Sequence, residues 1–308
     1  MNTPTTHFKA PIAAPQLLSA PTRLGAVHLD VIEGNRSRAF WTEVVGLTPL
    51  DSADDEIVLG IDDQPMIVLH PGATGPVARR HTGLYHVAIH LPAKKELARV
   101  VARLYGLRVP NSPTDHAETM ATYFSDPDGN NIELTFETPE RGALVLGDGR
   151  GAAIMADGTT QGPTEALDVQ LLFDELDADD DLMAPMPSGT RIGHVHLHVT
   201  DLAAGRHFYR NLIGLGDLRA LDAWGMTDLS LATSFVPHAL ALNVWNGPSA
   251  TPRPEKTAGL RYWTLHVSAD DIEGITRRLD DAQHTWREIP EGIAIDDPSG
   301  NELRVIPE

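Results

Sequence analysis

Four stretches of the chain alternate apolar and polar residues with the period of a half-buried strand: 24–31, 83–90, 192–199 and 259–266. A helical pattern follows each. In the first, Arg38-Ala39-Phe40-Trp41 leads to Val45-Gly46-Leu47, and in the third Arg206-His207-Phe208-Tyr209 leads to Ile213-Gly214-Leu215. The second and fourth carry helices around 96–104 and 271–279. Short runs punctuated by Gly, Pro, Asp and Asn come next, the mark of hairpins. The second and fourth stretches also end alike. Ser125-Asp126-Pro127-Asp128-Gly129-Asn130 precedes Ile132-Glu133-Leu134, and Asp296-Asp297-Pro298-Ser299-Gly300-Asn301 precedes Glu302-Leu303-Arg304. Pro sets φ while Gly and Asn accept φ > 0, so each reads as a tight turn into a strand. The repeating unit is strand, helix, three strands (βαβββ). Four units over 22–307 predict an α+β protein whose concave sheets form two barrels, two units to each.

Parity sorts the strand side chains into faces. Val195, Leu197 and Val199 share one face of the third unit's first strand; His194, His196 and His198 share the other. In the second unit His86, Ala88 and His90 oppose Tyr85, Val87 and Ile89, and its last strand sets Asn131, Glu133 and Thr135 against Ile132, Leu134 and Phe136. His86, His194 and Glu133 thus fall on equivalent, inward surfaces. Two histidines and a carboxylate are the ligand set of non-haem Fe(II) or a similar divalent metal. His28, His90, His196, His198 and His266, taken singly, read as hydrogen-bonded or solvent-facing residues.

Composition narrows the field further. The 308 residues carry 24 Lys plus Arg against 43 Asp plus Glu, a formal net charge of −19. That argues against nucleic acid or an anionic membrane surface as partner. The absence of cysteine excludes disulfides, thiolate metal sites and cysteine nucleophiles. No run of 18 apolar residues occurs and the first 20 residues lack the core of a signal peptide, so the expectation is a cytoplasmic protein. Residues 1–21 read as an N-terminal extension. In chain order there follow a first domain at 22–137 (units 22–72 and 83–137), an acidic, Gly-rich linker at 138–189, and a second domain at 190–308 (units 190–247 and 259–307). The linker reads as solvated, with one short helix at 164–176.

The motifs Gly83-Leu84-Tyr85-His86-Val87-Ala88, Asp126-Pro127-Asp128-Gly129-Asn130-Asn131-Ile132-Glu133 and Asp201-Leu202 with Phe208-Tyr209 and Ile213-Gly214-Leu215 resemble the vicinal oxygen chelate superfamily. That superfamily includes glyoxalase I, the fosfomycin and bleomycin resistance proteins and the extradiol dioxygenases. Within it the chain is most similar to two-domain catechol 2,3-dioxygenases and ring-cleaving hydroquinone dioxygenases. The resemblance implies one metal ligand from the first strand of one unit, and a His and a Glu from the first and last strands of its partner. Those positions hold Ala26 in the first unit, His86 and Glu133 in the second, His194 in the third, and Tyr262 and Arg304 in the fourth. Because the full set is split between the middle units, the expectation is that units two and three close one barrel and units one and four the other.

A glyoxalase-type fourth ligand would fall at Ala241, whose methyl group cannot bind a metal. Three ligands leave room for a bidentate diol and O2. The resemblance therefore implies an extradiol ring-cleaving dioxygenase, an oxidoreductase of aromatic catabolism. Its metal would be Fe(II), with Mn(II) or Zn(II) as alternatives, held by His86, Glu133 and His194. Its substrates would be a small aromatic diol and O2, and a homo-oligomer is compatible with it. Tyr123, ten residues before Glu133, and His116 are expected to hydrogen-bond the substrate, and His238 to act as acid–base group. Two alternatives stay open: a metal-dependent lyase or isomerase of the glyoxalase or fosfomycin type, and a non-catalytic protein that binds an aromatic compound.

Overall fold

The computed structural model describes residues 16–51, 55–145, 151–231 and 238–308. Unit one supplies β1 (Arg23–Val31), β2 (Thr48–Leu50), β3 (Ile57–Ile61) and β4 (Gln64–Pro71); unit two supplies β5 (Gly83–His90), β6 (Ser112–Asp115), β7 (Thr119–Ser125) and β8 (Asn131–Glu137). The segment after it adds β9 (Gly142–Val145), β10 (Ala152–Met155), β11 (Thr160–Gln161) and β12 (Glu165–Ala166). Unit three has β13 (Arg191–His198), β14 (Gly216–Leu221), β15 (Met226–Ser230) and β16 (Leu240–Asn243); unit four has β17 (Gly259–Val267), β18 (Trp286–Ile289), β19 (Gly292–Asp296) and β20 (Glu302–Pro307). Helix α1 (Gly34–Ala39) widens into a π turn at Phe40–Val45. α2 (Lys94–Gly106) is regular, α3 (Gln170–Phe173) is a single turn, α4 (Leu202–His207) widens at Phe208–Ile213, and α5 (Ala269–Asp281) is regular. Both π turns stop at a glycine in the left-handed region, Gly46 (φ 98°) and Gly214 (φ 104°), where a side chain would strain the backbone. No helix among the described residues is long and apolar enough to cross a membrane.

Among the described residues the strands form two large sheets and one small one. One large sheet runs β18-β19-β20-β17-β1-β4-β3-β2, the other β12-β6-β7-β8-β5-β13-β16-β15-β14. The outer two units therefore share one sheet and the middle two share the other, the arrangement that the split ligand set requires. Each sheet is joined at its centre by an antiparallel pair in the same register: Val87↔Val195 and His86↔His196 in the inner-unit sheet, Val27↔Trp263 and His28↔Tyr262 in the outer-unit sheet. The division into 22–137 and 190–308 follows the chain but not the sheets, since each of those segments contributes half of both. Nor is either sheet closed by hydrogen bonds into a barrel: β12 and β14 end one, β18 and β2 the other. The inner-unit sheet is instead bridged across its concave side by an ion pair between Arg219 on β14, one edge strand, and Glu118 in the turn between β6 and β7.

Successive units are joined by a second set of contacts. From α2, the buried Arg103 guanidinium donates to the carbonyls of Val44 (3.2 Å) and Val45 (3.3 Å) at the end of unit one's π turn. From α5, Arg278 does the same to Leu212 (2.8 Å) and Ile213 (2.9 Å) in unit three. Both arginines satisfy carbonyls that a helix end leaves without partners. The Asp-Pro turns fasten the same pairs. Asp128 accepts from the Ile32 N–H (2.9 Å) and from Arg36, and Ser299 Oγ accepts from the Thr200 N–H (3.0 Å). Strands thus link one with four and two with three, while helices and turns link one with two and three with four. Val27, Val87, Val195 and Trp263 meet in the continuous apolar core between the sheets.

The linker departs from its expected form. Its helix shrinks to Gln170–Phe173, where Leu172 is buried and Phe173 packs edge-on against Tyr105. β9, β10 and β11 make the small sheet, and β12 extends the inner-unit sheet beside β6. The acidic run is drawn onto α2, where Lys94 pairs with Glu175 and Lys95 with Asp177 and Asp180. Of the extension at 1–21, residues 1–15 lie outside the described residues, while Leu18 is buried and its N–H donates to the Gly214 carbonyl (3.0 Å).

Candidate metal centre and its cavity

His86 on β5, Glu133 on β8 and His194 on β13 come from neighbouring strands and point to one face. His86 Nε2 lies 3.0 Å from His194 Nε2 and 3.1 Å from Glu133 Oε2, and His194 Nε2 lies 3.2 Å from that same oxygen. All three side chains are buried. With bonds of about 2.1 Å to a divalent ion, adjacent donors of an octahedron sit about 3.0 Å apart and those of a tetrahedron about 3.4 Å. The observed spacing fits one face of an octahedron, which leaves the opposite face for substrates.

The protonation states suit a metal as well. Burial pulls the His86 imidazole below its ordinary range, against the pull of Glu133, and so keeps it neutral. Burial opposes ionisation of Glu133, yet contacts with His194 and His86 hold its carboxyl well below the usual range. Neutral imidazole and carboxylate are the ligating forms. Some buried polar atoms nearby lack protein partners: His194 Nδ1, His90 Nε2 and Asp228 Oδ1. Each such atom costs about 1–3 kcal/mol, a concentration expected of a functional site rather than of packing.

The triad forms part of a cavity of about 570 Å³. Tyr123, paired with Glu133 across β7 and β8, lines it. His116 Nδ1 lies 3.2 Å from the Pro163 carbonyl, so it carries the proton and donates it there; that leaves His116 Nε2, 3.0 Å from Tyr123 Oη, as an acceptor for the phenol proton, alongside the Glu133 carboxylate. Burial, followed by the Glu133 charge, raises the Tyr123 phenol well above its ordinary range. His238 precedes β16 rather than lying within it, which frees it from strand parity. Its ring sits 4.1 Å from the His194 ring, and burial keeps it neutral. Ala241 pairs with His196 and shares the face of Asn243, so the fourth-ligand position presents only a methyl group.

The structure adds residues that the sequence reading passed over. Asp228 on β15 is buried and accepts from Arg219 Nε at 2.9 Å, facing His238 Nδ1 at 3.7 Å. His196, read as a satisfied strand histidine, also lines the cavity. The Trp245 N–H donates to Asn243 Oδ1 (3.2 Å), as does His198 Nδ1 (2.7 Å), so Asn243 Nδ2 must donate to His196 Nε2 (2.9 Å). That leaves the His196 proton on Nδ1. Tyr85 and Trp245 pack on the His196 ring at 4.7 and 5.5 Å and give the cavity an aromatic wall. Leu144, Pro163 and Thr164, all from the linker, complete its lining. The alternation of Met226–Ser230 and the proximity of Trp245 to Asn243 were available signals, but their partners are distant in sequence. Gly193 has a local reason: a Cβ there would lie 1.7 Å from His90 Cδ2.

In the other sheet the equivalent positions are Ala26, Tyr262 and Arg304, as the shared register requires. They hold no ligand set; Arg304 lies 3.5 Å over the Tyr262 ring. Beside them His28 Nδ1 and His70 Nε2 are 3.0 Å apart, and Glu56 Oε1 is 3.3 Å from His70 Nδ1. Burial first, then neighbouring His70 and cations, lower His28 to about 3; burial and Arg261 lower His70 to about 4.

Comparison with known proteins follows the same lines. The family model described as "Glyoxalase/Bleomycin resistance protein/Dioxygenase superfamily" matches residues 23–134. A catechol-2,3-dioxygenase of Bacillus subtilis (strain 168) is 32% identical over 281 residues, covering 90% of this chain and 94% of that protein. Among solved structures, a putative dioxygenase from Bacillus subtilis has a TM-score of 0.60 at 14% identity, covering 96% of this chain and 86% of that one. Glyoxalase I from Zea mays has a TM-score of 0.57 at 14% identity, covering 93% and 92%. These two structural likenesses bear on the fold alone.

Proposed function

We propose, from the premise that this chain belongs to the glyoxalase/bleomycin resistance protein/dioxygenase superfamily, that it is an extradiol dioxygenase opening the ring of a catechol or hydroquinone. The observation that carries this reading is the trio of donor atoms 3.0–3.2 Å apart, with Ala241 where a fourth ligand would stand. The similarity to a catechol-2,3-dioxygenase over nearly the whole chain supports it. The methyl of Ala241 weighs against a four-ligand glyoxalase-type centre.

His86, His194 and Glu133 would hold Fe(II), which when bound supplies Lewis acidity toward the diol oxygens and electrons for O2 chemistry. The chain's own groups account for the rest. Neutral His238, 4.1 Å from the His194 ring, is placed to take a proton from the diol as it docks. The Tyr123 hydroxyl, with both His116 Nε2 and the Glu133 carboxylate as acceptors for its one proton, presents an oxygen lone pair that accepts from a substrate hydroxyl. Tyr85, His196 and Trp245 offer ring faces and edges to a flat aromatic substrate. The linker residues Leu144, Pro163 and Thr164 limit the access of water.

Fe(II)-reconstituted protein in an oxygen electrode, given catechol and methylhydroquinone in turn, should consume one O2 per ring opened and yield a yellow, conjugated product. Iron bound at the inner-unit sheet with no oxygen uptake on either diol would overturn the reading.

A further inference from the structure

The two large sheets are built from the same unit in the same register, so a change of residue at matching positions is informative. At one such pair, His196 on β13 and Asn243 on β16, an imidazole accepts from an amide at 2.9 Å. The matching pair in the outer-unit sheet is His28 on β1 and His70 on β4, fixed by the parallel registers His198↔Asn243 and Asp30↔His70. Here the amide has become a second imidazole, with ring nitrogens 3.0 Å apart. Glu56, just ahead of β3, brings a carboxylate oxygen 3.3 Å from His70 Nδ1, the ring nitrogen turned away from His28, so the grouping rests on the wider spacing of the three donors. Each of the three offers one ligand atom, and these atoms lie within 4.8 Å of one another.

We propose that His28, His70 and Glu56 form a second divalent-metal site, one step along the strands from the position that the first site occupies in its own sheet. Two nitrogen donors and one oxygen donor select a borderline ion such as Zn(II), Co(II) or Ni(II) over Ca(II) or Mg(II). At 3.0 Å the two facing ring nitrogens share a single proton; a cation between them takes its place when that proton moves to the other nitrogen of its ring. The nearby cations are already matched: Arg261 faces Asp30 at 3.6 Å and Arg304 donates to Glu302 at 2.8 Å. His28 and Glu56 are partly exposed while His70 is buried, so an ion can enter from solvent. Binding there is weaker than at the buried triad, because the two arginines stay close and Glu56 remains 38% exposed.

The test is metal stoichiometry on the full chain, by Co(II) and Zn(II) titration against a chromophoric chelator and by elemental analysis after gel filtration. Wild type should bind two equivalents of different affinity. His70→Asn, which installs the residue that the other sheet already carries at this position, should lose the weaker equivalent or weaken it at least a hundredfold and keep the tighter one. His28→Asn should act in the same way. His86→Ala with Glu133→Ala should lose the tighter equivalent and keep the weaker, so the two sites are read separately whatever the activity. A single equivalent in wild type, or a weaker equivalent untouched by both Asn variants, would overturn the proposal; a circular dichroism spectrum matching wild type certifies each variant as folded.

Discussion

Glu133 sits where burial favours the neutral acid, and two imidazoles hold it ionised instead. Removing either histidine therefore strands a buried charge, which costs far more than the contact alone. The neighbouring Tyr123 is a cleaner probe, because losing its hydroxyl removes a hydrogen bond to Glu133 but none of the three donor side chains. Tyr123→Phe should keep full metal content and lower kcat about a hundredfold, the usual scale for a proton-handling group, with a smaller change in KM. Unchanged kcat with a raised KM would make Tyr123 a binding group only. At this scale the sequence was informative: period-two parity alone put His86, His194 and Glu133 on inward faces. His238 was not legible in that way, because parity applies only inside a strand and β16 begins after it. Asp228 was missed because its partners Arg219 and His238 come from other segments that only the folded sheet brings together.

The elements repeat their devices twice over. Arg103 and Arg278 close equivalent π turns of the preceding unit, and Gly193 and Gly25 each make room for an imidazole crossing from the next strand: His90 in one sheet, His266 in the other. Arg103 is buried and also donates to the Leu182 and Ala184 carbonyls, both at 2.6 Å, tying the end of the linker to α2. Arg103→Met should therefore cost about 3 kcal/mol by urea denaturation, the scale of a charged hydrogen-bond donor withdrawn from buried carbonyls. Arg278→Met, whose guanidinium serves fewer carbonyls, should cost less. Equal losses would mean that the linker contacts add nothing. Neither arginine touches the cavity, so the folded fraction of each variant should keep its metal affinity.

For the molecule as a whole, the crossed linkage makes each half of the chain dependent on the other. A fragment of residues 1–140 would carry one half of each sheet and bare the central strands β1 and β5, whose partners β17 and β13 lie in the other half. Exposed central strands of this kind associate or fail to fold. Expressed alone, the 1–140 and 185–308 fragments should be insoluble or unfolded by circular dichroism, and co-expressed they should assemble and bind metal. A folded, monomeric 1–140 fragment would show that the consecutive contacts through α2 and the Asp128 turn suffice without the sheets. The linker has a further duty at this scale, since Leu144, Pro163 and Thr164 wall the cavity and the Pro163 carbonyl fixes the His116 tautomer.

Alternation, turn residues and the repeated Asp-Pro-x-Gly-Asn motif are properties of neighbours in the chain, and they were enough to mark the four units, the face of each strand and the residue types on it. Which units share a sheet is a matter of long-range closure, whose free energy depends only weakly on the length of chain between the partners, so local pattern is nearly silent about it. The pairing of one with four and two with three was legible only from how the ligand residues are divided among the units; the tertiary structure fixed it, placed linker residues in the cavity lining and brought Arg219 to Glu118. It also set His28 against His70 and Glu56, three residues whose separate positions in the sequence carry no sign of one another.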